Sequence, residues 1–186
     1  MPGENDNFET LRNNNKVYVD KSAYITKLLS LESNIVRICR PPSFGKSTFL
    51  QMLNSFFRGK KELFKGLNIS SNYDWRSYSV LYLDFNLMNV SSVTTLEVSL
   101  RSALMQIGKS HGVDVNELYE AKSQLDQLID AFSKKGEVVI LINDYDRPVR
   151  ERGESGDFVE MKEMEYHLQH FLSSFRYDIG QSIYYS

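Results

Sequence analysis

The chain has 186 residues, of which 41% are hydrophobic and 25% charged, and it carries a formal net charge of −2. That length accommodates one domain with a real core and falls short of two, and the balance is that of a soluble globular protein. The near-neutral charge excludes a global pull toward nucleic acid or an anionic membrane surface, so nucleic acid is unsupported as a partner.

In chain order, residues 1–15 are polar and rich in asparagine, and a loose N-terminal segment is expected. The start, Met1 to Asp6, is acidic and unlike a signal peptide. In residues 16–30, Asp20 or Ser22 can cap a short helix whose apolar positions are Tyr24, Ile25, Leu28 and Leu29. Asn34 to Cys39 is a short β-rich run, stopped by Pro41-Pro42. Cys39, the single cysteine, excludes an intramolecular disulfide and fits a reducing, cytoplasmic compartment; a small buried thiol is expected there.

An amphipathic helix is predicted from Thr48 to about Arg58, ended by Gly59-Lys60-Lys61. Leu63 to Trp75 is a connector with its own apolar cluster, and Ser79 to Phe85 is a second strand. Helices follow over Val93 to about Ser110 and about Val115 to Phe132, the second with Leu118, Ala121, Leu125, Leu128 and Ile129 on its apolar face. Glu137 to Ile142 is a nearly all-apolar strand, as expected where both faces are covered. Arg150 to Asp157 reads as a mobile loop, and a helix from about Phe158 to Phe175 precedes the terminal Ser182 to Ser186. His167 and His170 are three apart on that helix, but with no partner cysteine they read as a solvated face. No apolar run approaches the roughly 20 residues that span a bilayer, so an intracellular protein with no membrane partner is expected. Strands alternating with helices predict an α/β fold with a mostly parallel sheet and helices on its faces, in a single domain over 1–186.

The segment Arg40-Pro41-Pro42-Ser43-Phe44-Gly45-Lys46-Ser47-Thr48 lies between a predicted strand and a predicted helix. A P-loop reads Gly-x-x-x-x-Gly-Lys-Ser/Thr in that context, and here Arg40 replaces the first glycine. Such loops hold phosphate on backbone N–H groups at the positive end of a helix. The late positions Phe44, Gly45, Lys46, Ser47 and Thr48 all have an N–H, while Pro41 and Pro42 sit early in the loop. Arg40 and Ser43 complete the nucleotide-binding set. Lys46 would place its ammonium between the β- and γ-phosphates, and Ser47 would offer its hydroxyl to Mg²⁺. The competing reading is a chance Gly-Lys-Ser at the start of an ordinary helix.

An NTPase also needs an acid at the end of a second apolar strand. The third predicted strand ends Ile142-Asn143-Asp144-Tyr145-Asp146-Arg147-Pro148. Asn143 stands at the metal-water position, and Asp144 stands where many families place a water-activating Glu. Mg²⁺ prefers charged oxygens, so this is a degenerate Walker B. Asp144 can take the metal role if the strand end shifts, which leaves no clear base; Asp146 is a third carboxylate in reach. The metal set is therefore Ser47, Asn143 and Asp144, and the candidate catalytic acids are Asp144 and Asp146. The other reading is a plain strand-to-loop turn, for which Asn, Asp and Pro are ordinary residues.

These features carry a resemblance. Phe8-x-x-Leu11-Arg12, Tyr18 to Ser22, Arg40-Pro41 with Phe44 to Ser47, Leu63 to Leu67, Tyr82 to Phe85 and Tyr145 to Pro148 together resemble the AAA-ATPase-like domain family. In that family the domain usually precedes a PD-(D/E)xK nuclease-like domain. The resemblance runs from Phe8 to about Val149 and implies a three-layer P-loop NTPase fold that takes ATP and Mg²⁺. An arginine at the first loop position is a family habit. The chain departs from the family at Pro42 and Ser43, usually basic, and at Asn143-Asp144, usually Asp-Glu. The family's sensor strand, later helices and nuclease-like region are missing, which implies a C-terminally truncated domain. In such folds the sensor strand lies between the P-loop strand and the acidic strand, and Ser182 to Tyr185 alone could fill that slot. Otherwise the sheet is short at its centre or completed by a neighbour, a route to self-association. Three functions compete: a nucleotide-binding module with weak or absent hydrolysis, a working ATPase using Asp144 and Asp146, and a non-catalytic remnant that keeps the fold without its ligand.

Overall fold

The computed structural model describes residues 7–33, 35–39, 44–71, 73–176 and 181–185; for 71, 176 and 181–185 it describes the backbone. Four strands form one sheet: β1 (Ile35–Arg37), β2 (Ser79–Asp84), β3 (Val138–Asn143) and β4 (Gln181–Tyr185), in the order β1-β4-β3-β2. All three pairings are parallel. The slot between β1 and β3 is thus filled by β4, within the chain, and the sheet has no gap at its centre for a neighbour to complete. Ile183 of β4 pairs with Ile35 on one side and Ile140 on the other.

The strands are apolar on both faces because both faces are covered. Alternate residues point to opposite sides. Val80, Val139 and Leu141 pack under α1 (Phe8–Asn13), α2 (Ala23–Leu29) and α3 (Lys46–Phe57), whose Phe8, Ile25, Phe49, Leu50, Leu53 and Phe56 are buried. Leu81, Leu83, Val138, Ile140 and Ile142 face the other layer, α4 (Val93–Ser110), α5 (Ala121–Ser133) and α7 (Phe158–Leu172). Each fully buried Leu, Ile or Phe is worth roughly 1.5–3 kcal/mol, so two such layers hold the sheet firmly. Among the described residues, no helix is long and apolar enough to cross a membrane.

Several local expectations are corrected. The N-terminal segment is not loose throughout: Asn7 caps α1 by accepting from the Thr10 N–H at 2.7 Å, and Phe8 and Leu11 are fully or nearly buried. Glu9 then ties α1 to α3 through Ser55 at 3.0 Å and Lys60 at 2.7 Å. Residues 115–120 are not helical, and Leu118 is 87% exposed; the helix starts at Ala121. The stretch read as a mobile loop is largely α6 (Arg147–Glu154), with Pro148 in its first turn, where the missing N–H costs nothing. Cys39 is exposed. Trp75 is a packing residue, as expected, lying 5.2 Å from the Phe56 ring and 5.0 Å from the Phe64 ring.

Candidate functional site

The site begins where β1 hands the chain to α3. Gly45 is the residue before the helix and has φ 72°, ψ 31°, a left-handed conformation that favours glycine. Its carbonyl accepts the Phe49 N–H at 3.0 Å, so Lys46, Ser47 and Thr48 form the first turn. The leading N–H groups of a helix have no partner inside it, and they carry the positive end of the helix dipole. No acidic side chain occupies the first turn of α3 to offset that field. Lys46, Ser47 and Thr48 are half-buried, and Phe44 is exposed. The Lys21 ammonium reaches this turn from the segment before α2, donating to the Phe44 carbonyl at 3.3 Å. Arg40 and Ser43 lie outside the described residues.

The second half of the site is the paired ends of β2 and β3, where Asp84 is opposite Asn143. Asn143 is fully buried, and its Nδ2 donates to Asp84 Oδ1 at 3.0 Å. Asp84 Oδ1 also accepts the Asn86 N–H at 3.0 Å, and Oδ2 accepts the Tyr82 hydroxyl at 3.2 Å. Asp144 follows with φ 51°, a left-handed turn that short polar residues tolerate, and its carboxylate accepts from the Asn86 amide. Burial, then the charge of Asp84 and its hydrogen bond, push the Tyr82 phenol far above its usual range, so Tyr82 is a permanent donor.

Of the predicted acids, the fold brings Asp144 to this cluster and turns Asp146 away from it. Asp146 starts α6 and pairs with Arg150 one turn on, at 3.0 Å. Arg147 secures the strand end from behind, donating to the Phe85 carbonyl at 2.6 Å and pairing with Glu151 at 2.6 Å. Asp84 is the residue that sequence reasoning missed. Its signal was present: it ends an apolar strand in the same way that Asn143 does.

The two halves share one edge of the sheet. Parallel strands end on the same side, and Arg37 of β1 and Ile142 of β3 both stand level with Tyr185 of β4. The Arg37 guanidinium lies 5.7 Å from the centre of the Tyr145 ring, which links the two strand ends directly. On α3, Gln51 is one turn beyond Ser47 and so on the same face; its side chain accepts the Phe8 N–H at 3.2 Å.

Elsewhere, His167 is half-buried and sits 3.1 Å from Glu97 of α4, so it joins two helices and is not part of a solvated face. Burial opposes the Glu97 charge, but the adjacent His167 imidazole and the hydrogen bond from the Ala121 N–H outweigh it and hold the carboxyl below its usual range. Among the described residues, no group of three or more His, Cys, Asp or Glu side chains could hold a metal by itself.

An uncharacterized protein in the vnfD 5' region of Azotobacter chroococcum mcd 1 is 31% identical over 135 residues, which make up 71% of this chain and 26% of that protein. The chain thus spans about a quarter of that relative's length. No solved structure matches it. The family model described as a predicted AAA-ATPase matches residues 4–185, nearly the whole sequence, and the chain therefore belongs to the AAA-ATPase-like family.

Proposed function

We propose that the chain is a P-loop domain that binds ATP with Mg²⁺ at the N-terminus of α3, with weak or absent hydrolysis. The observation that carries the reading is the Gly45-Lys46-Ser47 turn: a left-handed glycine opening a 12-residue helix, in the connection that follows β1 of a parallel sheet. Oriented N–H groups and a dipole end make such a turn suited to a polyphosphate. A strand between β1 and β3 is also the order expected of a P-loop fold.

The residues present fit the group. Phe44 to Thr48 supply backbone donors, and Lys46 supplies an ammonium for the β- and γ-phosphates. Ser47 would offer its hydroxyl to Mg²⁺, with Asp144, Asp84 and the Asn143 carbonyl oxygen as the acceptors at the strand ends. Bound ATP would bring the phosphoryl group; what the chain adds is orientation and charge.

The same geometry favours binding over turnover. Asn143 spends an amide hydrogen on Asp84 and adds no charge of its own. Asp146 is engaged by Arg150, and Asp84 and Asp144 are both already hydrogen-bonded by Asn86. An affinity measurement tests the reading: ATP should bind by calorimetry with Mg²⁺ and more weakly with chelator. Lys46→Ala should abolish binding while leaving the melting temperature unchanged, because Lys46 is half-buried and outside both cores. Equal ATP affinity in the variant and parent would sink the assignment.

A further inference from the structure

The phosphate turn receives a second cation. Lys21 Nζ is 3.3 Å from the Phe44 carbonyl and 2.9 Å from where a Cβ on Gly45 would lie. Any side chain at position 45 would have to displace it, so the glycine keeps the approach open as well as making the turn.

Lys21 is aimed by its neighbours. Asp20 Oδ2 accepts the Asn68 N–H at 2.8 Å, and Ser22, fully buried, accepts the Ile69 N–H on Oγ at 3.2 Å. Both bonds go to one 3-10 turn, Asn68–Ser71. Asp20 also accepts the Ser22 N–H at 2.8 Å. Burial works against the Asp20 charge, but hydrogen bonds from Ser22 and Asn68 prevail and hold its carboxyl below the usual range. Residues 20 and 22 are pinned to one side, and the residue between them is delivered to the other. That arrangement brings an ammonium to the positive end of a helix whose first turn already holds Lys46 and no acid.

We infer that Lys21 is a phosphate-binding residue of this site, a second ammonium that grips the polyphosphate and makes the site select triphosphate over monophosphate. The inference rests on the nucleotide reading above. The Phe44 carbonyl accepts from the ammonium at 3.3 Å; a polyphosphate, far more negative, would compete for that contact. Charge-assisted bonds of this kind are about twice as strong as neutral ones.

The test compares parent, Lys21→Gln, Lys21→Met and Lys46→Ala by calorimetry with ATP, ADP and AMP in Mg²⁺, alongside melting temperatures without nucleotide. Lys21→Gln keeps a donor for the Phe44 carbonyl and removes the charge, so it separates phosphate binding from support of the turn. Both Lys21 variants should bind ATP about tenfold more weakly, a change of ~1.4 kcal/mol. ADP should weaken less and AMP hardly at all, with nucleotide-free melting unchanged. Unchanged ATP affinity in Lys21→Gln, while Lys46→Ala loses binding, would overturn the role of Lys21 and leave the nucleotide reading standing. A loss shared equally by ATP and AMP, or accompanied by a fall in melting temperature, would make Lys21 a structural prop. A parent that binds no ATP overturns both.

Discussion

Asn143→Asp adds a carboxylate at the end of β3, and the structure shows what that change must overcome. Asn143 is fully buried and gives an Nδ2–H to Asp84 at 3.0 Å. An aspartate there has no hydrogen to give. It exchanges a hydrogen bond to a charged group, worth roughly 1.5–3 kcal/mol, for two carboxylates facing each other. At 4 Å and an effective dielectric near 20, two such charges repel by about 4 kcal/mol. Relaxation and partial solvation reduce the sum, and a net loss of ~3 kcal/mol is a reasonable expectation in chelator. For a chain of this length that is a fall in Tm of roughly 10 °C. Either a proton or a divalent cation shared between the two carboxylates removes the repulsion. The penalty therefore shrinks as pH falls toward the carboxylate range. Mg²⁺ should raise the Tm of the variant more than that of the parent, and Mg²⁺-dependent ATP affinity should gain about tenfold, ~1.4 kcal/mol. The assay is thermal melting across pH with Mg²⁺ or chelator, followed by ATP calorimetry in the same buffers. A variant that melts with the parent in chelator at neutral pH would refute the contact with Asp84. Equal Mg²⁺ effects in both proteins would remove Asn143 from the metal site.

Deleting residues 181–186 removes β4 from between β1 and β3 and leaves two unpaired strand edges, so the melting temperature and solubility should both fall; a clean monomer that melts with the parent would contradict the sheet order. Arg147→Met should cost roughly 2 kcal/mol by leaving the Phe85 carbonyl without its charged donor, read as a lower denaturation midpoint in urea. Glu97→Gln should cost about 1 kcal/mol at neutral pH. Because the folded-state carboxyl of Glu97 is held low, its contribution is present above the ordinary carboxylate range and is lost as pH falls through the folded value, so variant and parent should converge in acid.

The sequence made the scaffold legible wherever a period or a run was long. The apolar run of β3 and the one-turn spacing of Leu96, Leu100 and Leu104 in α4 led to the observed elements because both bury continuous faces. The candidate turn stood out because a Gly-Lys-Ser between a predicted strand and a predicted helix is an uncommon combination. Short-range signals did worse. Val115 to Glu120 continues the helical spacing of α5, yet Leu118 points to solvent. Asp20 and Ser22 have the chemistry of helix caps, but their oxygens serve the turn at Asn68. Asp84 showed only the signal of a strand end, and Lys21 showed no local signal. Each takes its meaning from a neighbour more than 20 positions away, Asn143 for one and Phe44 for the other, and no local pattern encodes such a meeting.

The sheet order also bears on how the protein must fold. β2 and β3 can zip together with α4 and α5 between them, an ordinary crossover with modest loop closure. β1 cannot join that pair directly, since its partner is β4, and Ile35 must wait for Ile183. Such distant pairings bring their loop-closure entropy before any reward, and they form late and slowly. Until they form, the turn at α3 is tied to the β3 end only through the packing of α3 on Val80, Val139 and Leu141, without β1 to fix where the turn stands. A partly folded chain would then have both halves of the site and no site.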